Sequence, residues 1–320
     1  MGNAFYLCQR STLKTIKIHD EDNENTPNDV YFEEGELGSG GFSTVLLATR
    51  HAENGDANQV AVKRINCCDT EQMKNALREV ELTRKIASPF VISLISHGVA
   101  QSELNPNHKV ISLIFPVYHG GNLWDFLLKM KTEKKVISFE DKLKMVEGIL
   151  KGIKRCHGLN IAHCDIKTAN ILLKRDLKTP VIMDLGSATE TTLRTVTSHH
   201  EVQILQDWAS EKCTACYRAP ELFHVEYPAV LNLKKCDIWS IGCCLFAINY
   251  WQGPLDAIWL RGDSLGLAVQ SIEKYTKELG KFKGSDDAIF DELVKMCLVY
   301  NNAARCGIDD LLAKISIQSC

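Results

Sequence analysis

The chain has 320 residues, of which 45% are apolar and 24% are charged, and its formal net charge is −3 at pH 7. This length is enough to bury a large core, and the composition is that of an ordinary globular protein rather than a disordered one. The slightly negative charge argues against a strongly basic surface, so nucleic acid is not expected as a partner.

The N-terminus and the lack of a long apolar run predict a cytosolic, reducing location, and the cysteines are expected to be free there. MGNAFYLCQR lacks the charged start and long apolar core of a secretory signal, and no apolar run has the length of a membrane span. The thirteen cysteines are odd in number, and the adjacent pairs Cys67–Cys68 and Cys243–Cys244 suit neither a zinc site nor a disulfide framework. Cys213 and Cys216 form a single CxxC without a partner motif, so free and mostly buried thiols are expected.

Residues 1–29 have the composition of a flexible tail. The stretch HDEDNENTPND is acidic, rich in Asn and almost without apolar residues, so it cannot bury enough surface to order itself. Its Asp20, Asp22 and Glu24 have a spacing loosely similar to a calcium loop, but the required Gly is missing. We therefore predict a tail over residues 1–29 and a folded domain over residues 30–320.

From Tyr31 onward, the pattern changes to short runs of β-branched and aromatic residues. These runs are YFEEGEL, STVLLATR, QVAVKRI, VISLISHGV and KVISLIFPV. A helix is predicted over Asp69–Ile86, and after YHGGN the chain has mostly helical patterns. Strands first and helices later predict an α+β protein with a sheet-rich N-lobe at about 30–116 and a helical C-lobe at about 119–320.

The segment LGSGGFSTV places Gly38, Gly40 and Gly41 between two predicted strands. Glycines let a backbone approach phosphate groups closely, although this pattern alone equally suits a Gly-rich hairpin. On the next strand, VAVK, Lys63 has the position to reach phosphates and Ala61 leaves room for a flat base. Either Glu79 or Glu81 of the following helix could hold Lys63, and a surface position is the alternative for all three charges.

The stretch IAHCDIKTANILL carries a second group of chemically active residues. Asp165 and Asn170 stand five residues apart in a loop before a short strand, so the carboxylate can accept a hydroxyl proton while the amide oxygen faces a metal. MDLG supplies Asp184 as a second oxygen ligand, and such a pair suits Mg²⁺, which keeps waters and phosphate oxygens as its other ligands. YRAPELF and CDIWSIGCCLF follow in an order that chance does not explain.

Over about Tyr31–Arg305, these motifs resemble the eukaryotic protein-kinase family. The resemblance implies a five-stranded N-lobe with one helix, a mainly helical C-lobe, ATP with Mg²⁺ (or Mn²⁺) as cofactors, and protein substrates. It implies the following roles: Gly38, Gly40, Gly41 and Val45 over the nucleotide, Ala61 and Leu172 on either side of the adenine, Pro116 and Tyr118 facing it, Lys63 and Glu79 as an ion pair, Asp165 as the base, and Asn170 and Asp184 on the metal. Lys167 and Thr214 resemble the serine/threonine version of the family, and Arg305 is expected to pair with Glu221.

The hinge assignment is also physically acceptable. If Phe115 stands at the back of the nucleotide pocket, Pro116 and Tyr118 face the adenine. Proline has no N–H group but keeps the carbonyl that the adenine amine requires. Pro116 is therefore compatible with a nucleotide hinge.

Four longer stretches resemble the Numb-associated kinase family, within which the similarity is greatest to an acylated, Golgi-associated branch. They are LGSGGFS, MDLGSA, LQDWASEKCTACYRAPELF and GDSLGLAVQ. The resemblance implies a helical insertion late in the activation segment, which LQDWASEKC matches. It also implies myristoylation of Gly2 and palmitoylation of Cys8, although Tyr6 stands where the acylation pattern has Ser or Thr. Two acyl chains anchor a protein stably, so the expected location is the cytoplasmic face of Golgi or plasma membranes, with some cytosolic protein.

Cys164 is a departure from the kinase pattern, which has Arg between the catalytic-loop His and Asp. That Arg pairs with a phosphate on the activation segment and takes no part in the chemical step. A kinase that is active without activation-loop phosphate is therefore predicted. The hydroxyl-rich segment Thr189–Ser198 is either a set of autophosphorylation sites or a polar, solvated loop.

Two other functional classes remain as alternatives. A nucleotide-binding pseudokinase could act as a scaffold at membranes, but all groups that would touch phosphate or metal are present. A small-molecule phosphotransferase of related fold is disfavoured by Ala219–Pro220–Glu221 and by Thr214, which are features of a platform for protein substrates. The sequence specifies neither the physiological substrate nor the oligomeric state.

Overall fold

The computed structural model describes residues 15–18, 29–41, 43–51, 57–102, 105–272 and 288–317. In chain order the described elements are β1 (Thr15–Ile18), β2 (Asp29–Ser39), β3 (Ser43–His51), β4 (Ala57–Cys67), α1 (Thr70–Ile86), β5 (Ser96–Gln101), β6 (Lys109–Pro116), α2 (Leu123–Thr132), α3 (Phe139–Gly158), β7 (Ile171–Leu173), β8 (Pro180–Ile182), β9 (Leu193–Val196), α4 (His199–Lys212), β10 (Ala229–Asn232), α5 (Leu233–Tyr250), α6 (Asp256–Leu260), α7 (Leu265–Gln270), α8 (Ala288–Cys297) and α9 (Ile308–Ser316). None of the described helices combines the length and the apolar character that a bilayer span requires.

The chain divides into two compact units. The first contains Met1–Ala87 and Ile92–Val117, and the second contains Ser88–Val91 and Tyr118–Cys320. The first unit holds β1–β6 and α1, and the second holds all the other described elements. This separation of a sheet-rich unit from a helical one confirms the predicted α+β class.

The first unit is built on an antiparallel sheet with the strand order β1-β2-β3-β4-β6-β5. The prediction of five strands is therefore wrong by one, because Thr15–Ile18 pairs with β2 inside the segment predicted to be a flexible tail. Ile16 is 6% exposed and belongs to a small apolar core with Tyr31 and Leu46. This burial explains why the short strand TIKI forms. The sequence did not predict the strand, because the acidic stretch that follows it gave residues 1–29 the composition of a flexible tail.

Two further elements of this unit test the sequence patterns. The helix predicted over Asp69–Ile86 is confirmed as α1, with Asp69 as its N-cap accepting a hydrogen bond from the Gln72 amide. The strand predicted from VISLISHGV is only half right, because β5 begins at Ser96. Val91, the first residue of this run, instead belongs to the second unit, where it forms a parallel bridge to Ile182.

The second unit is organised around α5, of which almost every residue is buried. A helix that is apolar on all sides is typical of the centre of a core. Gly242 of α5 allows α8 to pack closely against α5, because a Cβ at position 242 would be 2.5 Å from the Cβ of Cys297. Gly152 has the same function in α3, where a Cβ would lie 2.7 Å from the Cδ1 of Ile182.

The activation segment contains more regular structure than the sequence indicated. The predicted helical insertion lies within α4, which begins after Ser198, the residue that caps its N-terminus. The alternative of a polar loop over Thr189–Ser198 is wrong for Leu193–Val196, which pairs with β10 in a two-stranded sheet. Thr189 and Thr192 are buried there, each with 5% exposure.

Candidate active site

In the first unit, β4 and α1 bring Lys63 and Glu79 together. The Lys63 Nζ atom lies 2.7 Å from Glu79 Oε1, and the two side chains are 15% and 7% exposed. Glu81, the rival partner in the sequence, is exposed. The helix thus presents Glu79 to the sheet because its apolar neighbours Val80 and Leu82 are buried.

The predicted nucleotide-binding residues of this unit lie on neighbouring strands. Gly38 on β2 is opposite Val45 on β3, which in turn is opposite Lys63 on β4. Because residues that are directly opposite one another in a sheet project to the same face, these three positions share one surface. Ala61 is opposite Phe115, and Pro116, at the end of β6, is opposite Val60.

The glycines at the end of β2 and just after it have open space above them in the described part of the chain. A Cβ built at Gly38 or Gly41 meets no described atom within 4 Å. At Gly40 the nearest atom is 3.6 Å away, and its amide donates to the Ser43 carbonyl at 2.8 Å to close the turn. Open space above glycines is what a backbone that approaches phosphate groups requires, so these residues fit ATP.

In the second unit, the side chain of Asp237 on α5 binds backbone amides of the catalytic loop, the loop within the stretch IAHCDIKTANILL. Its carboxylate accepts hydrogen bonds from the amides of His163 and Cys164 at 2.8 and 2.9 Å, and it contacts the Nε2 atom of His157 at 2.9 Å. The Asp237 side chain is 1% exposed. Cys164 has a φ of 67°, which is strained for a residue with a side chain, so the carboxylate stabilises an unfavourable backbone shape. Asp237 is the second residue of the stretch CDIWSIGCCLF, whose pattern did not indicate this function, and the sequence analysis missed His157.

Asp165 lies at the centre of the predicted catalytic group. Its Oδ1 atom accepts from the amide and the hydroxyl of Thr214 at 2.9 and 2.6 Å. Its Oδ2 atom accepts from Lys167 Nζ at 2.8 Å and from Asn170 Nδ2 at 3.0 Å. The Lys167 ammonium also donates to the Thr214 hydroxyl at 2.8 Å. Four residues predicted for this site, from two separate segments, are therefore in direct contact.

The two predicted metal ligands lie on adjoining segments. Asn170 ends a short 3-10 helix and uses Nδ2 for both of its contacts with Asp165, so its side-chain oxygen is the atom that could ligate a metal. The Met183 amide donates to the Asn170 carbonyl at 2.9 Å, and Asp184 follows with a φ of 65°. One amide oxygen and one carboxylate are donors of the kind that Mg²⁺ accepts. No group of three His, Cys, Asp or Glu residues suited to a metal occurs in the described parts of the chain.

Tyr118 and Leu172 complete the predicted nucleotide-binding residues of the second unit. The backbone carbonyl of Tyr118 accepts a hydrogen bond from the Gly121 amide at 3.1 Å, and burial raises the pKa of the Tyr118 hydroxyl. Leu172 lies on β7 and is half-buried.

The sequence analysis missed that position 120 requires a glycine. A Cβ at Gly120 would lie 2.5 Å from the Leu173 carbonyl oxygen. The signal was present in the letters YHGGN.

Gly2 and Cys8, the predicted acylation sites, lie outside the described residues. Cys164 is described, and the residue is buried, with 8% exposure. Burial, and then the charge of Asp237, raise the pKa of the Cys164 thiol well above its ordinary value. The residue therefore presents a neutral thiol where the kinase pattern has a cation.

The predicted pair of Glu221 and Arg305 is confirmed. Arg305 Nη1 and Nη2 donate to the two carboxylate oxygens at 2.8 and 3.0 Å, and Asn302 donates to one of them at 2.6 Å. Burial alone would raise the pKa of Glu221, but the hydrogen bonds and charge of Arg305 outweigh it and hold the pKa below its ordinary value. The Arg305 side chain is fully buried.

Comparison with known proteins agrees with this geometry. Residues 31–315 match the family described as the protein kinase domain. The chain is 35% identical over 272 residues to Serine/threonine-protein kinase 16 of Mus musculus and also to that of Homo sapiens, covering 85% of this chain and 82% of each relative. It is 26% identical over 334 residues to Serine/threonine-protein kinase ENV7 of Saccharomyces cerevisiae, covering 86% and 88%. The chain therefore belongs to the protein kinase family, and the prediction of a serine/threonine protein kinase is confirmed.

Proposed function

We propose that this serine/threonine protein kinase transfers the γ-phosphate of ATP to Ser and Thr hydroxyl groups of protein substrates, with Asp165 as its base. The observation that carries the proposal is the contact of Asp165 with Lys167, Asn170 and Thr214. A carboxylate that orients an acceptor hydroxyl must itself be held in position. Donors on both of its oxygens supply that restraint here.

The roles of the remaining residues follow from their positions. Asn170 and Asp184 would hold Mg²⁺, which neutralises charge on the phosphates. Lys167 places its ammonium beside Asp165 and Thr214, where negative charge gathers during transfer. Lys63, kept in place by Glu79, is the cation proposed for the phosphates of ATP. The other nucleotide-binding residues are those that the sequence predicts: Gly38, Gly40, Gly41, Val45, Ala61, Pro116, Tyr118 and Leu172.

The proposed chemistry is tested by substitution of Asp165. Wild type and Asp165→Asn would be compared for ATP-dependent phosphorylation of a generic basic protein and of the kinase itself, with Mg²⁺ or Mn²⁺. Loss of a general base lowers the rate by about 10²–10⁴-fold. Asp263→Asn, an amide substitution at an exposed side chain, is the matched control and should retain full activity.

Two further measurements test the alternative functions, a pseudokinase scaffold and a small-molecule phosphotransferase. If the wild type binds ATP but transfers no phosphate, the scaffold function replaces the kinase function. Transfer to choline or an aminoglycoside in preference to protein would favour a small-molecule phosphotransferase.

We also propose that activity does not depend on phosphate in the activation segment. Cys164 offers no cation to such a phosphate, and Asp237 already holds the loop through backbone amides. Autophosphorylation would take place at exposed hydroxyls, of which Thr191 and Thr195 are candidates. Phosphatase-treated enzyme should keep its initial rate, and a rate that falls to zero would contradict this part of the proposal.

The location is proposed to be the cytoplasmic face of Golgi or plasma membranes, reached through acylation of Gly2 and Cys8. The support comes from the resemblance to the acylated branch of the Numb-associated kinases. Gly2→Ala should move the protein to the cytosolic fraction, and Cys8→Ser should leave only weak, reversible membrane binding. Unchanged membrane association of Gly2→Ala would refute the anchor without affecting the proposed chemistry.

A further inference from the structure

One side-chain hydrogen bond joins the Asp184 turn (residues 184–188) to the end of α4. The hydroxyl of Ser187 donates to the backbone carbonyl of Lys212 at 2.8 Å. Lys212 is the last residue of α4, and the final carbonyls of a helix have no partner within the helix. Ser187 therefore supplies a donor that α4 itself lacks, and the contact connects two segments that are 25 residues apart in the sequence.

The turn that contains Ser187 is closed by its own backbone. The Ala188 amide donates to the Leu185 carbonyl at 3.0 Å, and Leu185 is buried with 2% exposure. Asp184 enters this turn with a φ of 65°, a backbone shape that is unfavourable for a residue with a side chain and that the surrounding contacts must hold. A hydrogen bond from Ser187 therefore bears on the position of the Asp184 backbone.

The same end of α4 is connected to Asp165. Thr214, two residues after Lys212, binds Asp165 Oδ1 through its amide at 2.9 Å and through its hydroxyl at 2.6 Å. Between them, Cys213 is buried, and its amide donates back into α4 at 3.0 Å. These three residues form a short segment with little freedom, which contacts the Asp184 turn at its first residue and Asp165 at its last.

We propose that Ser187 is a positioning residue, which ties the Asp184 turn to the segment that also holds Asp165. This inference rests on the proposed function, in which Asp184 holds Mg²⁺ and Asp165 is the base. The relative position of a metal ligand and a base affects the rate of transfer, since a displacement of about 1 Å can cost about 10²-fold. Ser187 gives both groups a common support at the end of α4.

The alternative role for Ser187 is that of a cap for α4 alone. In that case, loss of the hydroxyl lowers the stability of the protein and leaves the Asp184 turn and its metal affinity as they are. If Ser187 positions Asp184, the local opening of the turn and the metal affinity change more than the stability does. The two roles therefore predict changes in different measured quantities.

The test uses the full chain, two variants of Ser187 and a matched control on α4. Ser187→Ala removes the hydroxyl, Ser187→Thr keeps it, and Ser210→Ala makes the same truncation at an exposed position of the helix. Amide exchange of the metal-free protein measures the opening of the turn. Electron paramagnetic resonance of Mn²⁺, with a non-hydrolysable ATP analogue present, measures the metal affinity.

For Ser187→Ala, we expect amide exchange over residues 184–189 to become faster and the Mn²⁺ dissociation constant to rise, each by about 2- to 10-fold, which is the range for the loss of one hydrogen bond. Ser187→Thr and Ser210→Ala should stay close to wild type in both measurements. A lower melting temperature of Ser187→Ala with unchanged exchange of the turn and unchanged Mn²⁺ affinity would overturn the proposal and leave Ser187 as a cap.

Both measurements are made without phosphate transfer, so they are independent of the proposed function. A wild type that transfers no phosphate would refute that function, while amide exchange would still decide whether Ser187 holds the Asp184 turn.

A double variant tests the common support. Thr214→Val removes the hydroxyl that binds Asp165, and Ser187→Ala removes the contact at the other end of the same segment. The effects of residues that act through one element are not independent. Turnover of the double variant should therefore fall by less than the product of the two single effects, and a fall equal to that product would overturn the common support.

Discussion

The carboxylates of Asp165 and Glu221 are both surrounded by hydrogen-bond donors, but the donors differ in kind. Asp165 receives an ammonium, a hydroxyl, a side-chain amide and a backbone amide, and each of the three side-chain donors can be removed by its own substitution. Glu221 receives the fork of a guanidinium, one amide group and the thiol of Cys236 at 3.1 Å. The donors around Asp165 include groups that a phosphate-transfer reaction can use. The donors around Glu221 form a network of protein groups that bind one another.

The remaining contacts of Arg305 show why the second set is structural. Its guanidinium also donates to the carbonyls of Lys235 at 2.6 Å and Val299 at 3.0 Å. A buried guanidinium without hydrogen-bond partners is costly, and these acceptors remove that cost. A substitution at the Glu221–Arg305 pair should therefore change stability, whereas a substitution around Asp165 should change turnover.

The largest stability effect is expected for Arg305→Ala. Removing one partner of a buried ion pair leaves Glu221 uncompensated, which costs about 3–5 kcal/mol. In a unit of this size, such a loss lowers the melting temperature by roughly 6–20 °C. Chemical denaturation and calorimetry of the variant measure both quantities.

The control for this prediction is Lys314→Ala, which removes an exposed pair with Glu292. The two side chains of that pair are 31% and 52% exposed, so its loss should cost less than about 1 kcal/mol. Equal destabilisation by the two substitutions would contradict the structural role of Arg305.

The Glu221 pair should also make stability depend on pH. The pKa of Glu221 is held below its ordinary value of 4.5, so its contribution is fully present above that pH and is lost as pH falls through the lower, folded-state value. The difference in unfolding free energy between wild type and Glu221→Gln should therefore be constant at neutral pH and shrink below about pH 4.5. A difference that grows on acidification would reverse the sign of the shift and refute this account.

Thr214→Val tests the expectation that substitutions around Asp165 change turnover. The substitution keeps the shape of the side chain and the amide contact with Asp165 but removes the hydroxyl that links Asp165 to Lys167. A hydrogen bond to a charged group contributes about 1.5–3 kcal/mol, so turnover should fall about 10-fold or more. Thr214→Ser keeps the hydroxyl and should retain most of the activity. If valine and serine variants were equally active, the Thr214 hydroxyl would have no part in holding Asp165, the proposed base.

The sequence predicted those parts of the molecule that depend on local pattern. Asp69 before an amphipathic stretch predicted α1, and the spacing of Asp165 and Asn170 predicted a group of polar side chains that the structure brings into contact. It could not predict that Ile16 would bury against Tyr31, because the pairing of a short strand depends on a partner outside the local pattern. The choice of Glu79 over Glu81 likewise depends on which face of α1 is buried.

The same limit applies to Asp237 and His157. Neither residue has a local signal for its contact, because 80 positions separate the two side chains that meet at 2.9 Å. Their meeting is a consequence of how α3 and α5 pack, and only the folded chain reveals it. The framework of the catalytic loop was therefore less predictable than its chemical groups.

Cys164→Ala is expected to have the smallest effect. The position of Asp165 depends on the Cys164 amide, which donates to Asp237, and not on the thiol. Removing the buried sulfur should cost about 1 kcal/mol of stability, because it is comparable in size to a buried methylene group. Turnover should stay within about twofold of wild type, with or without phosphatase treatment, because the substitution keeps the amide contact with Asp237. A twofold change corresponds to only about 0.4 kcal/mol in the activation barrier. A large loss of turnover without a loss of stability would show that the thiol itself acts on the neighbouring base, and Asp165 would then depend on its own loop as well as on Lys167, Asn170 and Thr214.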